Sequence, residues 1–100
     1  MWLGDGEAVN ISAIAWGEFL CGPLSAAAAE AAARRMLPNV ENFIRTDAET
    51  AANLFNSTGR RSKTYADCCI AATAIRCQAE LATSNQSDFA PMIPFRLALA

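Results

Sequence analysis

The segment that most constrains the fold is 65–78, which is apolar on almost every side of a helix. Ala, Cys and Ile occupy most positions from Ala66 to Ile75, and no Gly or Pro interrupts them. A helix that is apolar nearly all round is buried on more than one side, so the rest of the chain has to surround it. Against this background Asp67, an acidic residue in the first turn, stands out.

Four short segments are predicted to be strands, and helices separate them. Their apolar residues alternate or cluster between turn signals, and they span 9–16, 40–45, 79–83 and 95–99. Strands that alternate with helices favour a parallel sheet covered by helices. The sequence therefore predicts a single domain of the α/β class over residues 1–100.

Capping signals mark where further helices begin. Ser25 is expected to cap an alanine-rich helix that Pro38 ends. Thr46 and Glu49 have the spacing of a capping box, which opens a second helix. One helical turn is predicted at 89–92.

Composition excludes several classes of protein. The chain has no His, which excludes His-dependent hydrolases and His-ligated zinc sites. Its formal net charge is −2, so it is not a strongly basic protein that coats nucleic acid. No apolar run is long enough to span a membrane, and the N-terminus lacks the basic region of a signal peptide. We therefore expect a cytoplasmic protein with reduced, buried thiols at Cys21, Cys68, Cys69 and Cys77.

Four polar residues are candidates for a site at the carboxyl ends of the predicted strands. Glu18 follows the first strand, Asp67 opens the helix that leads into the third, and Asn85 and Asp88 follow that strand. Clustered carboxylates repel one another unless a cation neutralises them. Oxygen ligands without His or Cys suit Mg²⁺ or Mn²⁺, which activate water and stabilise a phosphoryl transition state.

Each candidate also has an ordinary structural explanation. Asp67 could complement the helix dipole, and Asp88 could cap the turn that follows it. Glu18 could face solvent on a helix, and Asn85 could occupy a left-handed turn. Taken singly, none of the four identifies a site.

Three strings in a fixed order resemble the PIN-domain proteins of the VapC toxin type. Residues 11–19, ISAIAWGEF, are similar to the family's segment around its second strand. Residues 65–74, YADCCIAATA, are similar to its long helix, and residues 81–89, LATSNQSDF, to its last loop. The resemblance covers nearly the whole chain.

This resemblance implies a three-layer α/β/α sandwich that cuts RNA with a metal-bound acidic cluster. It implies Asp67, Glu18 and Asp88 as catalytic residues, and a Mg²⁺ or Mn²⁺ ion held by Glu18, Asp67, Asn85 and Asp88. It also implies an RNA substrate, a homodimer and a cognate antitoxin. The basic group Arg60, Arg61 and Lys63, just before the Asp67 helix, is expected to bind RNA; the alternative is a solvated loop.

The sequence departs from the family at its N-terminus. The family begins with a central strand that ends in Asp, and no such segment is predicted here. Asp5 lies between two glycines and is expected in a loop rather than at a strand end. The neighbours of the missing strand would then pair directly or borrow a strand from a second chain. Two functions stay open: a ribonuclease impaired by the loss of its first Asp, or a non-catalytic PIN-like remnant that dimerises and binds an antitoxin.

Overall fold

The computed structural model of the chain describes residues 2–5, 8–23, 25–36, 39–58 and 65–100. Short strands and helices alternate after an N-terminal pair of strands. In chain order they are β1 Trp2–Asp5, β2 Ala8–Ser12, α1 Ala13–Leu20, α2 Ala26–Met36, β3 Val40–Glu41, α3 Arg45–Ser57, α4 Tyr65–Arg76, β4 Glu80–Ala82, α5 Gln86–Phe89, a 3₁₀ helix Ala90–Phe95, and β5 Ala98–Leu99.

The strands form one five-stranded mixed sheet in the order β3-β2-β1-β4-β5. β3 is parallel to β2, β5 is parallel to β4, and β1 is antiparallel to both of its neighbours. The four strands predicted from sequence therefore all run in one direction, and β1 is inserted against them. The predicted α/β class is confirmed, and the architecture is consistent with a PIN-like α/β/α fold.

The centre of the sheet differs from the expectation. β1 fills it from within the same chain, with Leu3 opposite both Asn10 on β2 and Leu81 on β4. The two neighbours thus neither pair directly nor need a strand from a second chain. Asp5 is the last residue of β1, so its expected place in a loop was wrong. The four residues of β1 are too few, with a glycine among them, to show a strand periodicity.

Helix α4 is the centre of the core, as its composition predicts. All seven residues from Cys68 to Ala74 are buried. The helix packs most extensively against α3 and also contacts α1, α5, β2 and β4. Large side chains from these elements complete the core, including Leu54, Leu81 and Phe89.

Two element boundaries differ from the predictions because polar side chains cap helices. The first strand ends at Ser12 rather than continuing to Trp16, since Ser12 Oγ accepts a hydrogen bond of 3.1 Å from the Ala15 N–H and starts α1. Thr46 is not the cap of α3. Ile44 holds that position, and its N–H donates to Asp47 Oδ2 at 3.1 Å, so Glu49 has no part in the cap.

The predicted cap of the alanine-rich helix is confirmed. Ser25 Oγ accepts a hydrogen bond of 3.1 Å from the Ala28 N–H at the start of α2. The last strand and the strand predicted over 40–45 are both shorter than expected, with two residues each in the ladder. Residues 86–95 form α5 and a 3₁₀ helix, a longer helical stretch than the single turn predicted at 89–92.

Candidate active site at the carboxyl edge of the sheet

The parallel strands bring two of the candidate segments to the same edge of the sheet. β2 ends at Ser12 and leads directly into α1, which carries Glu18. β4 ends at Ala82, and the loop after it leads to Asn85 and to α5 with Asp88. Because β2 and β4 run in the same direction, both segments leave the sheet at its carboxyl edge, where ligands bind in open α/β sheets.

The direction of α4 places Asp67 at this edge as well. α4 ends in a Schellman motif: the Gln78 N–H donates to Ile75 O at 3.1 Å and the Ala79 N–H to Ala74 O at 3.0 Å. The chain then enters β4 at Glu80, so α4 returns along the strand in the opposite direction. The first turn of α4 therefore lies towards the carboxyl end of β4.

The local environments of the four candidates differ. Glu18 and Asn85 are exposed, whereas Asp67 and Asp88 are half-buried. Asn85 is the N-cap residue of α5, and its N–H donates to Thr83 Oγ1 at 3.1 Å. Its φ is −108°, so it does not occupy the left-handed turn that was the alternative explanation. α4, which carries Asp67, contacts both α1 and α5, which carry Glu18 and Asp88.

Asp5 lies at the other edge of the sheet. β1 runs against β2 and β4, so its last residue is opposite Ala8, at the start of β2. Gly4, one residue earlier, is opposite Glu80 at the start of β4. Although Asp5 ends the central strand, its backbone thus lies at the amino ends of the neighbouring strands, away from the segments with Glu18 and Asn85.

The candidate residues fit a hard divalent cation by their chemistry. In the ranges that the structure describes, no three His, Cys, Asp or Glu side chains come together as a ready-made metal site. Mg²⁺ does not require such a cage, because proteins commonly hold it by one or two carboxylates together with waters and substrate phosphates. Carboxylates on α1, α4 and α5 with an amide at Asn85 offer that kind of ligand.

The predicted RNA-binding residues Arg60, Arg61 and Lys63 lie outside the described residues. Only the sequence links these residues to the site, because they precede α4, whose first turn carries Asp67.

Sequence reasoning missed a buried polar network that fixes α4 against α3. Asp47 is 1% exposed, and its Oδ1 accepts a hydrogen bond of 2.8 Å from Arg76 Nε. The Thr73 hydroxyl lies 3.3 Å from Asp47 Oδ2. Arg76 also donates to Asn42 O at 2.9 Å and to Glu41 Oε1 at 3.3 Å. The hydrogen bond to Asp47 raises the pKa of Arg76, which stays fully charged.

A signal for this network was present in the sequence. Asp47 lies in the first turn of the helix predicted after strand 40–45, and Arg76 is the only basic residue of the apolar helix 65–78. An acidic residue in the first turn of one helix and a lone cation at the end of its neighbour are suited to pair across an antiparallel contact. The network lets the long helix keep a fixed position relative to α3 and the β3 loop.

Two of the four thiols are buried, and Cys77 is half-buried rather than buried as predicted. Every cysteine is free, and Cys68 and Cys69 are buried as predicted. Burial raises the pKa of Cys69 and of Cys77, which keeps both as neutral thiols that bind metal and attack electrophiles poorly. Cys21 is exposed, so its predicted burial was wrong: it follows the last turn of α1 on the surface.

No helix in the described ranges is long and apolar enough to cross a membrane. Comparison with protein families gives one assignment for most of the chain: the family model of the PIN domain matches residues 2–92. No curated protein and no solved structure matches the sequence.

Proposed function

Because the chain belongs to the PIN domain family, whose members are generally nucleases, we propose that it is a metal-dependent endoribonuclease of the VapC toxin type, from a toxin–antitoxin system. One observation supports this most strongly. Two segments with the family-like acidic and amide residues leave the sheet at its carboxyl edge, and the helix that carries Asp67 contacts the helix in each of them. A surface with this chemistry suits hydrolysis of a phosphodiester bond.

In this proposal the ion is Mg²⁺ or Mn²⁺, and its candidate ligands are Glu18, Asp67, Asn85 and Asp88, of which one or two carboxylates contact it directly and the others act through bound water. When bound, the ion lowers the pKa of a water and offsets the charge that develops on the phosphate. Asp67 is the principal ligand, because it projects from the first turn of the helix most firmly fixed in the core. Glu18 contacts the ion directly or through water, and Asn85 and Asp88 complete the ligand set or orient a water.

The RNA substrate requires positive charge that the acidic edge does not provide. We propose that Arg60, Arg61 and Lys63 supply it, because they directly precede α4 in the sequence. Contacts of cations with phosphates release counterions, so binding through these residues weakens as salt is added.

We further propose a homodimer and an antitoxin as protein partners. α1 exposes Phe19 and Leu20, at 45% and 42%, and Trp16 stacks on Phe19 with ring centroids 5.6 Å apart. α2 follows directly and makes only sparse contacts with the other described elements. Apolar aromatic side chains beside an alanine-rich helix are typical of surfaces that another chain covers.

A second function is favoured by the position of Asp5. If the activity of this family needs an acidic residue at the carboxyl edge from the end of the central strand, Asp5 does not meet that need, because its backbone lies at the amino edge here. The chain would then be a non-catalytic PIN-like protein that retains the dimer and antitoxin surfaces. The two functions differ in one observable, which is RNA cleavage that depends on the added metal and on Asp67.

A cleavage assay with two matched variants tests the proposal. Structured RNA is incubated with the protein in Mg²⁺ or Mn²⁺, and Asp67→Asn is compared with Glu80→Gln. Glu80 is an exposed acid at the opposite edge of the sheet and serves as the control. We expect Asp67→Asn to lose at least about 100-fold in rate, while Glu80→Gln keeps its activity.

Circular dichroism shows whether the Asp67→Asn protein is folded. A folded Asp67→Asn protein that cleaves as fast as the original would exclude Asp67 as a ligand. Absence of metal-dependent cleavage by the original protein, with its fold intact, would favour the non-catalytic function.

A further inference from the structure

A cavity of about 280 Å³ lies at the amino edge of the sheet, across from the candidate active site. Two of its lining residues place it at this edge, because each of them lies where a strand begins. Ala79 directly precedes β4, and Ala98 is the first residue of β5. The end of α4 and the turn after the 3₁₀ helix complete the wall, and the lining residues are Ile75, Gln78, Ala79, Arg96 and Ala98.

The two polar residues of this cavity share an unusual backbone conformation. Gln78 has φ 53° and Arg96 has φ 80°, and they are the non-glycine residues with positive φ in the described ranges. For such residues the left-handed region costs about 1–2 kcal/mol, which glycine avoids. Both turns keep a long polar side chain where glycine would be more stable, and both side chains line one cavity. Each of them also ends a helix: Gln78 completes the Schellman motif after α4, and Arg96 is the C-cap of the 3₁₀ helix.

Within the described part of the chain, neither the Arg96 guanidinium nor the Gln78 side-chain amide makes a hydrogen bond or an ion pair. A guanidinium binds phosphate through paired N–H donors. A glutamine amide both donates and accepts, which suits the edge of a nucleobase.

The remaining wall is apolar and small. Ile75, Ala79 and Ala98 offer a surface for the face of a base or a ribose. Small-molecule sites usually have volumes of about 300–1,000 Å³, and this cavity is just below that range, so it suits a small ligand that stays partly exposed. We propose that this cavity binds a single nucleotide, with its phosphate on Arg96 and its base beside Gln78. The nucleotide is either free or the terminal residue of an RNA strand.

This site is separate from the one proposed for cleavage. The cavity opens beside the first residues of β4 and β5, whereas Asn85 and Asp88 follow the last residue of β4. Nucleotide binding here therefore does not depend on the metal or on Asp67. The two proposals succeed or fail independently.

Nuclear magnetic resonance titration of the backbone amides tests the nucleotide site. The probes are adenosine 5′-monophosphate, inorganic phosphate and a four-nucleotide RNA, all without divalent metal. We expect saturable shifts at Gln78, Ala79, Arg96 and Ala98 with the nucleotide or the RNA. Saturation by the nucleotide identifies a free nucleotide as ligand, and saturation by the RNA alone identifies a strand end.

The variant Arg96→Gly separates the side chain from the backbone. Glycine adopts positive φ without strain, so this variant keeps the turn while it removes the guanidinium. We expect it to weaken binding at least about tenfold, and Arg34→Gln on exposed α2 to leave binding unchanged. Unchanged binding by Arg96→Gly would overturn the proposal. So would the absence of shifts at the cavity, or inorganic phosphate binding as tightly as the nucleotide.

Discussion

Asp47 shows at the scale of one residue how a polar side chain can fix a helix in an apolar core. Its carboxylate is almost fully buried, and it accepts hydrogen bonds from Arg76 and from the Ile44 N–H. A buried charge costs free energy unless it is paired, so this side chain and Arg76 constrain each other's position. Because Asp67 lies on the same helix as Arg76, the ion pair also helps to fix the helix that carries this candidate ligand.

Replacing Asp47 tests this constraint. Asp47→Ala leaves Arg76 Nε and the Ile44 N–H without their carboxylate acceptor, and we expect it to lower the free energy of unfolding by about 3 kcal/mol. Breaking a buried ion pair costs about 3–5 kcal/mol. We expect the lower value here, because the Arg76 side chain is 31% exposed and water hydrates part of it. Urea unfolding at neutral pH measures the difference.

Glu49→Ala is the matched control for Asp47→Ala. Glu49 was the acid predicted to complete the capping box, but it is exposed and lies 3.7 Å from Arg45 in a surface pair. We expect a change within about 0.5 kcal/mol. Equal effects of the two variants would show that the buried network does not stabilise the fold.

The sequence predicted which residues are candidates for the site better than it predicted which residues contact one another. The order of Glu18, Asp67, Asn85 and Asp88 along predicted elements was enough to expect a shared edge, since parallel strands carry their following loops to one side. Asp47 was not expected as a buried ion-pair partner, because that role depends on Arg76, distant in sequence. Cys21 was expected inside, because burial of a thiol depends on which face the folded helix covers.

At the scale of elements, β1 decides how the sheet is completed. It is antiparallel to both neighbours and places Leu3 in the core, where it is 3% exposed. The antiparallel direction is what separates Asp5 from the carboxyl edge. Local patterns predicted the four parallel strands and the helices between them. They missed β1, since its pairing with β4 joins residues almost eighty positions apart.

A core substitution tests the central position of β1. We expect Leu3→Ala to lower the free energy of unfolding by about 2–5 kcal/mol, because it removes buried methyl groups and leaves a cavity. Leu20→Ala, at a site 42% exposed, should change it by less than about 0.5 kcal/mol. Chemical denaturation of both variants provides the comparison. A negligible effect of Leu3→Ala would mean that residues 2–5 do not form the middle of the sheet.

At the scale of the whole molecule, the helices rather than the sheet offer a surface for assembly. A second chain is not needed to fill the sheet, because β1 fills it. The reason to expect a dimer is now the exposed apolar surface of α1 beside the sparsely packed α2. That surface could be anticipated from the alanine-rich sequence, whereas the completed sheet could not.

Sedimentation across a wide concentration range tests the dimer. We expect a reversible monomer–dimer equilibrium that Phe19→Ser shifts towards monomer, because it removes an exposed aromatic side chain from the surface. Ile93→Ser is the control, since Ile93 is similarly exposed, at 49%, but lies on the 3₁₀ helix. A folded protein that is monomeric at every concentration would exclude the homodimer. An equal shift by both variants would exclude the α1 surface.

A Mg²⁺ titration followed by backbone amide shifts shows whether the carboxyl edge of the sheet forms the proposed divalent-metal site. We expect saturable shifts at Glu18, Asp67, Asn85 and Asp88 that disappear in a folded Asp67→Asn protein. Glu80, at the opposite edge, should show none. Shifts confined to the amino edge, or no saturable shift in the folded protein, would contradict the account.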